Sequence, residues 1–435
     1  MDRKHLCEIK IHEVTCHILI SDLKIDISAN KHARAKIWFD LLNINEIHRL
    51  LGQVSQGNVT ILCQNKVIFC GKCISIQISN KDRVELELVS LSIMLDKDRK
   101  KKSYQDIQMT WEQIMNSAIS LCDGILHYNA VKGNPSMPVI QYTETTWEFI
   151  HRLASKINTV VYPDYIHGEK IINVGIPKGK CSEINFFLKK LALDERYWKK
   201  SEYDREKHLS EFVFYEIYSY ENYEIGTIVN IENKKGYILE KRIEAMDGDL
   251  RFVYRVGNPK MVCMDRYDNK RFAGMAIQGT VLSTANETVK LQFEFDDEQD
   301  INTAYPYQWT PESGNTMYLM PKVGTLVNLF FMNEREESAL AISCIRENGK
   351  THSKLQSVND RYLTNEAGKQ LYLKPEEMGF INEETNDGIS ILDNDRVQLT
   401  TINNISIVSN NKLSINAKNI VVSTPNEFLA KKISL

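Results

Sequence analysis

Apolar and polar residues alternate through the first 95 residues, as in Val14, Cys16, Ile18, Ile20, then Ile74, Ile76, Ile78, then Val84, Leu86, Leu88. A period of two places successive side chains on opposite faces of a strand, so residues 1–95 are expected to form an all-β domain. After the polar break "LDKDRKKKS" at 95–103 the period changes. Thr110 stands three residues before Gln113, and Thr145 three before Glu148, the spacing of a capping box at a helix start. In the second helix Trp147, Ile150, Leu153 and Ile157 share one face, which marks a helix packed on one side and assigns these residues to a core. An α+β domain is expected over 96–195.

Short strands rich in aromatic residues return in "SEFVFYEIYSYENYEIGTIVNIE" and "GYILEKRIEAMDGDLRFVYRV", which predicts a second β domain over 196–270. Residues 271–347 hold "IQGTVLS", "ETVKLQFEF", "NTMYLMPKVGTLVNLFFMN" and "SALAISCIR", separated by Gly, Asn and acidic turns. Such closely spaced strands fit a small barrel of the OB type.

The last segment, 348–435, has a different beat. Ile389 with Ile391, Val397 with Leu399, Ile405 with Ile407, Leu413 with Ile415, and then Val421 each begin eight residues after the pair before. An octad fits neither the helical turn nor the coiled-coil heptad, and β-branched residues between Asn, Ser, Asp and Thr favour one short strand and one turn per unit. In "ISI", "VQL" and "LSI" the first and third residues face one side of the pleat. One chain of such units offers a thin apolar line and open strand edges, too little to offset the entropy of ordering it. Three copies would bury that line on a common axis, so an intertwined trimeric β-prism is expected over about 370–424, with these nine residues along its axis. The alternative is a single-chain solenoid, or a β-rich tail packed on the preceding barrel.

At 435 residues the chain exceeds one hydrophobic core and suggests three or four domains. A 43% apolar, 26% charged composition with net charge -3 is that of a soluble folded protein and gives no electrostatic argument for nucleic acid or anionic membrane. Trp309 and Tyr318 stand without a Lys or Arg cluster, so no nucleic-acid partner is expected. The start, "MDRKHLCEIKIHEVTCHILI", has no signal-peptide pattern, and no stretch nears the roughly 20 apolar residues that span a bilayer; synthesis in the cytoplasm follows. Nine scattered cysteines argue for reduced thiols.

Cys70 and Cys73 have C-x-x-C spacing, yet "VIFCGKCISIQI" reads as strand, Gly turn or bulge, strand, with no second such motif; they are read as structural. His12, Cys16 and His17 are close in sequence, but Cys16 and His17 point to opposite faces of a strand. The acids Glu294, Asp296, Asp297, Glu298 and Asp300 read as a solvated loop between strands. No nucleophile elbow, zinc-protease, P-loop or dinucleotide signature occurs. No catalytic site, cofactor or metal is expected.

The order of these segments resembles the central spike of contractile injection machines: the valine-glycine repeat protein G (VgrG) spikes of type VI secretion and the hub-and-spike baseplate proteins of contractile phage tails. "SYQDIQMTWEQI" at 103–114 is similar to the family's "YQD" segment before a helix, and "QYTETTWEFIHRLASKINTVVYPD" at 141–164 to its "ESDWEFLxRLA" helix. "ETVKLQFEFD" and "MYLMPKVGTLVNLFF" resemble the barrel strands around "MPxVGxxVxV". The resemblance implies a mainly β chain with an α+β insertion: hub β-barrels, an OB barrel and a trimeric β-prism. It implies a homotrimer joining a hexameric inner tube and baseplate proteins to a membrane-puncturing tip, with a PAAR-like tip protein or effectors at the C-terminal end. Such a particle is assembled in the cytoplasm and delivered outside or into a target cell. The hub region, about 270 residues, is shorter than in typical type VI spikes, which favours a phage-derived or non-classical system. The octads lack the family's recurring Gly, the 12 residues after Ser423 leave no room for an effector domain, and the roughly 40 between barrel and octads leave none for an inserted lysozyme. Two other roles fit a tail-associated chain: a cell-wall hydrolase, or a trimeric glycan-binding adhesin.

Overall fold

The structure, a computed structural model, describes residues 7–11, 14–16, 20–40, 52, 54, 57–79, 83–199, 209–232, 234–246, 249–312, 318–346, 354, 356–394 and 396–429. His12 and His17, grouped above with Cys16, lie outside them. The fold is mainly β, in several antiparallel sheets, and divides into two units, 1–345 and 346–435.

The alternation read in the N-terminal stretch becomes a set of one-sided strands. Ile20–Ile27, Arg34–Asp40, Arg83–Ser90, Lys66–Ile78 and Asn58–Cys63 lie side by side, antiparallel, in that order. Leu23, Ile25 and Ile27, then Ala35, Ile37 and Phe39, then Val84, Leu86 and Leu88 all turn inward and are buried. The residues between them carry opposite charges on the outer face. Arg83 reaches Asp22 at 2.7 Å, Arg34 reaches Glu87 at 3.0 Å and Lys36 reaches Glu85 at 3.5 Å. Of the run Ile74, Ile76, Ile78, only Ile76 packs against this core, because pairing shifts register between Cys73 and Ser75 and the strand end runs out past the core. Of the turn or bulge expected around Gly71, no turn forms: Gly71 sits within one strand, where an added Cβ would lie 2.3 Å from the Val89 carbonyl, and the register shift falls just after it, between Cys73 and Ser75.

Strands of the second β stretch do not stand apart. Val213–Ser219, Asp249–Gly257 and Lys234–Met246, joined by Leu188–Leu193 from the end of the 96–195 stretch, continue the same sheet, through pairing of Lys241–Ala245 with Leu23–Ile27. The result is a 13-stranded sheet, counted over the described residues, with one continuous core from Phe39 and Ile61 to Ile243, Phe252 and Tyr254.

Between these stretches lie two helices, α1 (Trp111–Ser120) and α2 (Thr146–Lys156). Both capping boxes form. Thr110 Oγ1 accepts from the Gln113 amide at 3.2 Å, and Thr145 Oγ1 from the Glu148 amide at 3.1 Å. Each N3 side chain in turn accepts from the cap residue's own amide. Trp147, Ile150 and Leu153 are buried and Ile157 is half-buried against the same cluster, as the helical spacing required.

Residues 276–345 give five strands in the spatial order Pro306–Gln308, Thr288–Phe293, Ala276–Ala285, Leu326–Phe331, Ala339–Ile345. Trp309, just past the first of these, bridges Ala341 on the last, so the sheet curls until its two edges meet and Val281, Leu291 and Leu329 fill the interior. An ion-pair node ties this element to α2. Arg152 is fully buried and donates to both carboxylate oxygens of Glu144, at 2.7 and 2.8 Å, and to Glu336 at 2.6 Å, while Lys156 donates to the other Glu336 oxygen at 2.6 Å. Burial alone would raise the Glu336 carboxyl, but Arg152 and Lys156 outweigh it and hold the group at about 2. Among the described residues no helix is long and apolar enough to cross a membrane.

Candidate functional site

The C-terminal unit places the candidate residues. It is a meander of five strands, Arg361–Thr364, Lys369–Lys374, Glu377–Asn382, Gly388–Leu392 and Arg396–Thr400, each antiparallel to the next. Register decides which side chains share a face. Leu363 opposes Leu371, Leu371 opposes Phe380, Phe380 opposes Ile389 and Ile389 opposes Leu399. One row over, Leu373, Met378, Ile391 and Val397 follow one another in the same way. Nine apolar side chains therefore line one face of the sheet.

That face is uncovered. All nine except the half-buried Leu371 are exposed, Phe380 at 62% and Val397 at 70%. The opposite face is polar and aromatic, with Tyr362, Tyr372, Gln370, Ser390 and Gln398. It packs on itself: Tyr372 lies across Gly379, where an added Cβ would sit 2.8 Å from its hydroxyl, and Lys354 Nζ donates to Gln370 at 2.6 Å. Polar in, apolar out is the reverse of a sheet that ends its own folding in water.

Of the nine octad residues, the structure gathers four, Ile389, Ile391, Val397 and Leu399, into this face. Ile405, Ile407, Leu413, Ile415 and Val421 follow on an extended chain, 401–429, that makes no strand pairing within the single chain and leaves Val421 87% exposed. Leu363, Leu371, Leu373, Met378 and Phe380 are members of the same face that the octad beat does not reveal. Their alternation is visible in "YLT", "LYL" and "MGF", but the connecting turns differ in length and break the count.

The other candidate groups resolve into structural roles. Cys70 is buried and accepts from Thr60 Oγ1 at 3.3 Å; Cys73 is a free, half-buried thiol, and burial raises both thiols above their ordinary value. Within the acidic run Asp296 is held against another element, accepting from the Ser103 amide and hydroxyl at 3.0 and 2.5 Å, and the exposed Asp300 accepts locally from Asn302, while Glu294, Asp297 and Glu298 are exposed. Trp309 is buried and donates to the Leu319 carbonyl at 2.7 Å; Tyr318 is exposed. Ser92, His32 and Asp96 have the residue types of a hydrolytic triad, with His32 Nδ1 2.8 Å from Ser92 Oγ. The Ser92 side chain is fully buried, however, and the remaining ring nitrogen stands 3.6 Å from Asp96, so no attacking oxygen faces solvent. Among the described residues no group of three or more His, Cys, Asp or Glu could hold a metal ion.

No protein-family model and no curated protein matches the sequence. Solved structures share the fold. A chain from a PdpA–VgrG complex of Francisella, in its half-lidded form, superposes with a TM-score of 0.60 at 10% identity, covering 91% of this chain and 87% of that one. A chain of the lidless PdpA–VgrG complex gives 0.56 at 10% identity, over 91% of this chain and 97% of that one. The E. coli protein c3393, described as a component of the type VI secretion system similar to bacteriophage T4 tail proteins gp27 and gp5, gives 0.54 at 14% identity, over 78% of this chain and 99% of that one.

Proposed function

We propose that this chain, which has the fold of type VI and contractile-tail spike proteins, is one subunit of a trimeric central spike. The observation that carries the reading is the uncovered apolar face of the C-terminal unit. Burying an aliphatic or Phe side chain is worth about 1.5–3 kcal/mol, and a lone chain leaves that gain unused at Phe380, Ile391, Val397 and their neighbours. Three copies around a closed three-fold axis turn this face inward and form a triangular prism without open lateral edges. Ile389, Ile391, Val397 and Leu399 line its upper part. The extended segment 401–429 winds about the same axis, with Ile405, Ile407, Leu413, Ile415 and Val421 as the inner row.

In this reading 1–95 and 196–270 are the hub β-barrel domains, 96–195 the α+β hub domain, 271–347 the OB barrel and 348–435 the spike. The hub ring seats a hexameric inner tube and meets baseplate proteins. A PAAR-like tip protein or effectors ride at the C-terminal end; the PdpA–VgrG complexes are the precedent for a partner held by a protein of this fold. The work is mechanical: sheath contraction supplies force, and the chain supplies an adaptor and a stiff point that leaves the producing cell. Light scattering on the purified full-length protein tests it. A mass near three times 50.3 kDa is expected; a clean monomer at micromolar concentration overturns the intertwined prism.

A further inference from the structure

The turn between strands Ile20–Ile27 and Arg34–Asp40 is where the first β lobe meets α2. Asn30 fastens it, receiving from the Val161 amide at 2.9 Å and donating to the Val262 carbonyl at 2.8 Å. Near Asn30, the His32 ring lies 4.1 Å from the Trp147 ring, tilted by 31°, and the His151 ring lies 4.4 Å from the same indole, tilted by 43°. The indole is the ring shared by both contacts of this column, and Trp147 and His151 are both buried.

The hydrogen bonding of this column favours neutral imidazoles. The Nε2 atoms of both histidines are buried without a hydrogen-bond partner. His32 Nδ1 is occupied by Ser92 Oγ. The charged groups around the column are Asp96 on the turn Leu91–Asp96, Arg34 and Asp26 on the flanking strands, and Lys31 on the turn itself. Arg34 is drawn away by Glu87, and on α2 Arg152 and Lys156 are held by Glu144 and Glu336, while Glu148 is held by Arg99. Asp96 alone could favour a charged ring, and it faces only His32; its second oxygen already accepts from Thr145, the N-cap of α2, at 2.6 Å. A cavity of about 590 Å³ lined by His32, Asp96 and Trp147 brings water to the edge of the column.

We infer that the His32–Trp147–His151 column is an acid-sensitive joint, which holds the first β lobe on α2 while both rings are neutral and loosens when they take up protons. The inference goes beyond the spike reading and does not depend on it. Protonating both rings would set two like charges against one indole, and among the described contacts His151 has no carboxylate partner. Burial lowers the titration of His151, helped by the field of His32, to about 3; His32 is also lowered by burial, against the pull of Asp96. The sign follows by linkage. The unfolded or undocked histidines bind protons first, so the joint is at full strength above the ordinary value of 6.5 and is lost progressively as pH falls below it.

Hydrogen exchange by mass spectrometry on the full chain, at pH 7 and pH 5 with correction for the intrinsic rate, tests the joint. Opening of segments 28–34 and 144–156 is expected to rise roughly tenfold at the lower pH, and to stay flat in the double variant His32→Asn, His151→Gln. Unchanged opening in the wild type, or the same rise in the double variant, assigns the effect elsewhere and overturns the inference. Where the double variant does not fold, deuterium exchange at the imidazole C2 position of the wild type decides. Midpoints for His32 and His151 below 6.5 support the joint, and midpoints at or above it overturn it.

Discussion

Strand Arg34–Asp40 and strand Glu377–Asn382 are written in similar letters and meet opposite fates. In the first, Ile37 and Phe39 point inward on either side of the half-buried Trp38 and are wholly buried by the lobe's own strands and the second β stretch. In the second, Met378 and Phe380 alternate around Gly379 and both stand in solvent. A period of two therefore says that a face needs cover, and not whose atoms supply it. In residues 1–345 the cover comes from far along the same chain. In residues 346–435 the five strands are each other's neighbours in sequence, and a single meander has no second layer to put over its apolar side.

The sharpest way to break the comparison is a paired substitution. Phe39→Asp is expected to unfold the N-terminal unit outright, since it removes roughly 3–5 kcal/mol of packing and buries a charge besides. If the chain trimerises as proposed, Phe380→Asp is expected to leave each chain folded and release it from the assembly, because about 1.5–3 kcal/mol would be lost three times over around the proposed axis. Circular dichroism and light scattering together separate the two; a Phe380→Asp protein that remains trimeric would remove that residue from the axis.

A second test asks how far the cover within the N-terminal unit is polar. Glu336→Ala leaves Arg152 buried with one of its two carboxylate partners, and a loss of about 3–5 kcal/mol is expected in urea unfolding. Because the Glu336 carboxyl titrates lower folded than unfolded, its contribution is present above the ordinary value of 4.5 and fades as pH falls toward about 2. The wild type should lose stability across that window and the variant should lose less.

The smallest effect runs the other way. Lys241, on the seam between the two β stretches, is buried against the Tyr165 and Phe252 rings, and its ammonium reaches Asn222. Burial, only partly opposed by Glu224, lowers it to about 8. A lysine lowered on folding costs stability below its folded value, and that cost disappears as pH rises from about 8 to 10.5. Lys241→Met should therefore gain about 1–2 kcal/mol at pH 7 and flatten the alkaline rise in melting temperature. A destabilised variant would mean that the contact with Asn222 outweighs the burial.

What could be read in advance divides along the same line. Both capping boxes and the one-sided face of α2 were legible, because a cap and its N3 partner lie within one turn of chain. The octads were legible as a pattern, and four of their residues do share a face. Pairing of Leu23–Ile27 with Lys241–Ala245 was not, since neither segment carries a mark of the other and only tertiary packing selects the partner. Arg152 reads in sequence as one more charge on a helix, and nothing local announces Glu336, 184 residues on, as its counter-ion. The apolar face begins at Leu363, ahead of the octads, and turns of unequal length concealed it.

The seam itself has a directional consequence. Antiparallel rungs run perpendicular to their strands, and here five residue pairs, from Leu23 opposite Ala245 to Ile27 opposite Lys241, join the two lobes. A load that slides one lobe along the strand axis strains all five pairs together, whereas a load that peels them apart meets one pair at a time. The rungs of this seam are thus stiff in shear and compliant in peel, and it is the core shared by the two stretches that resists a peeling load.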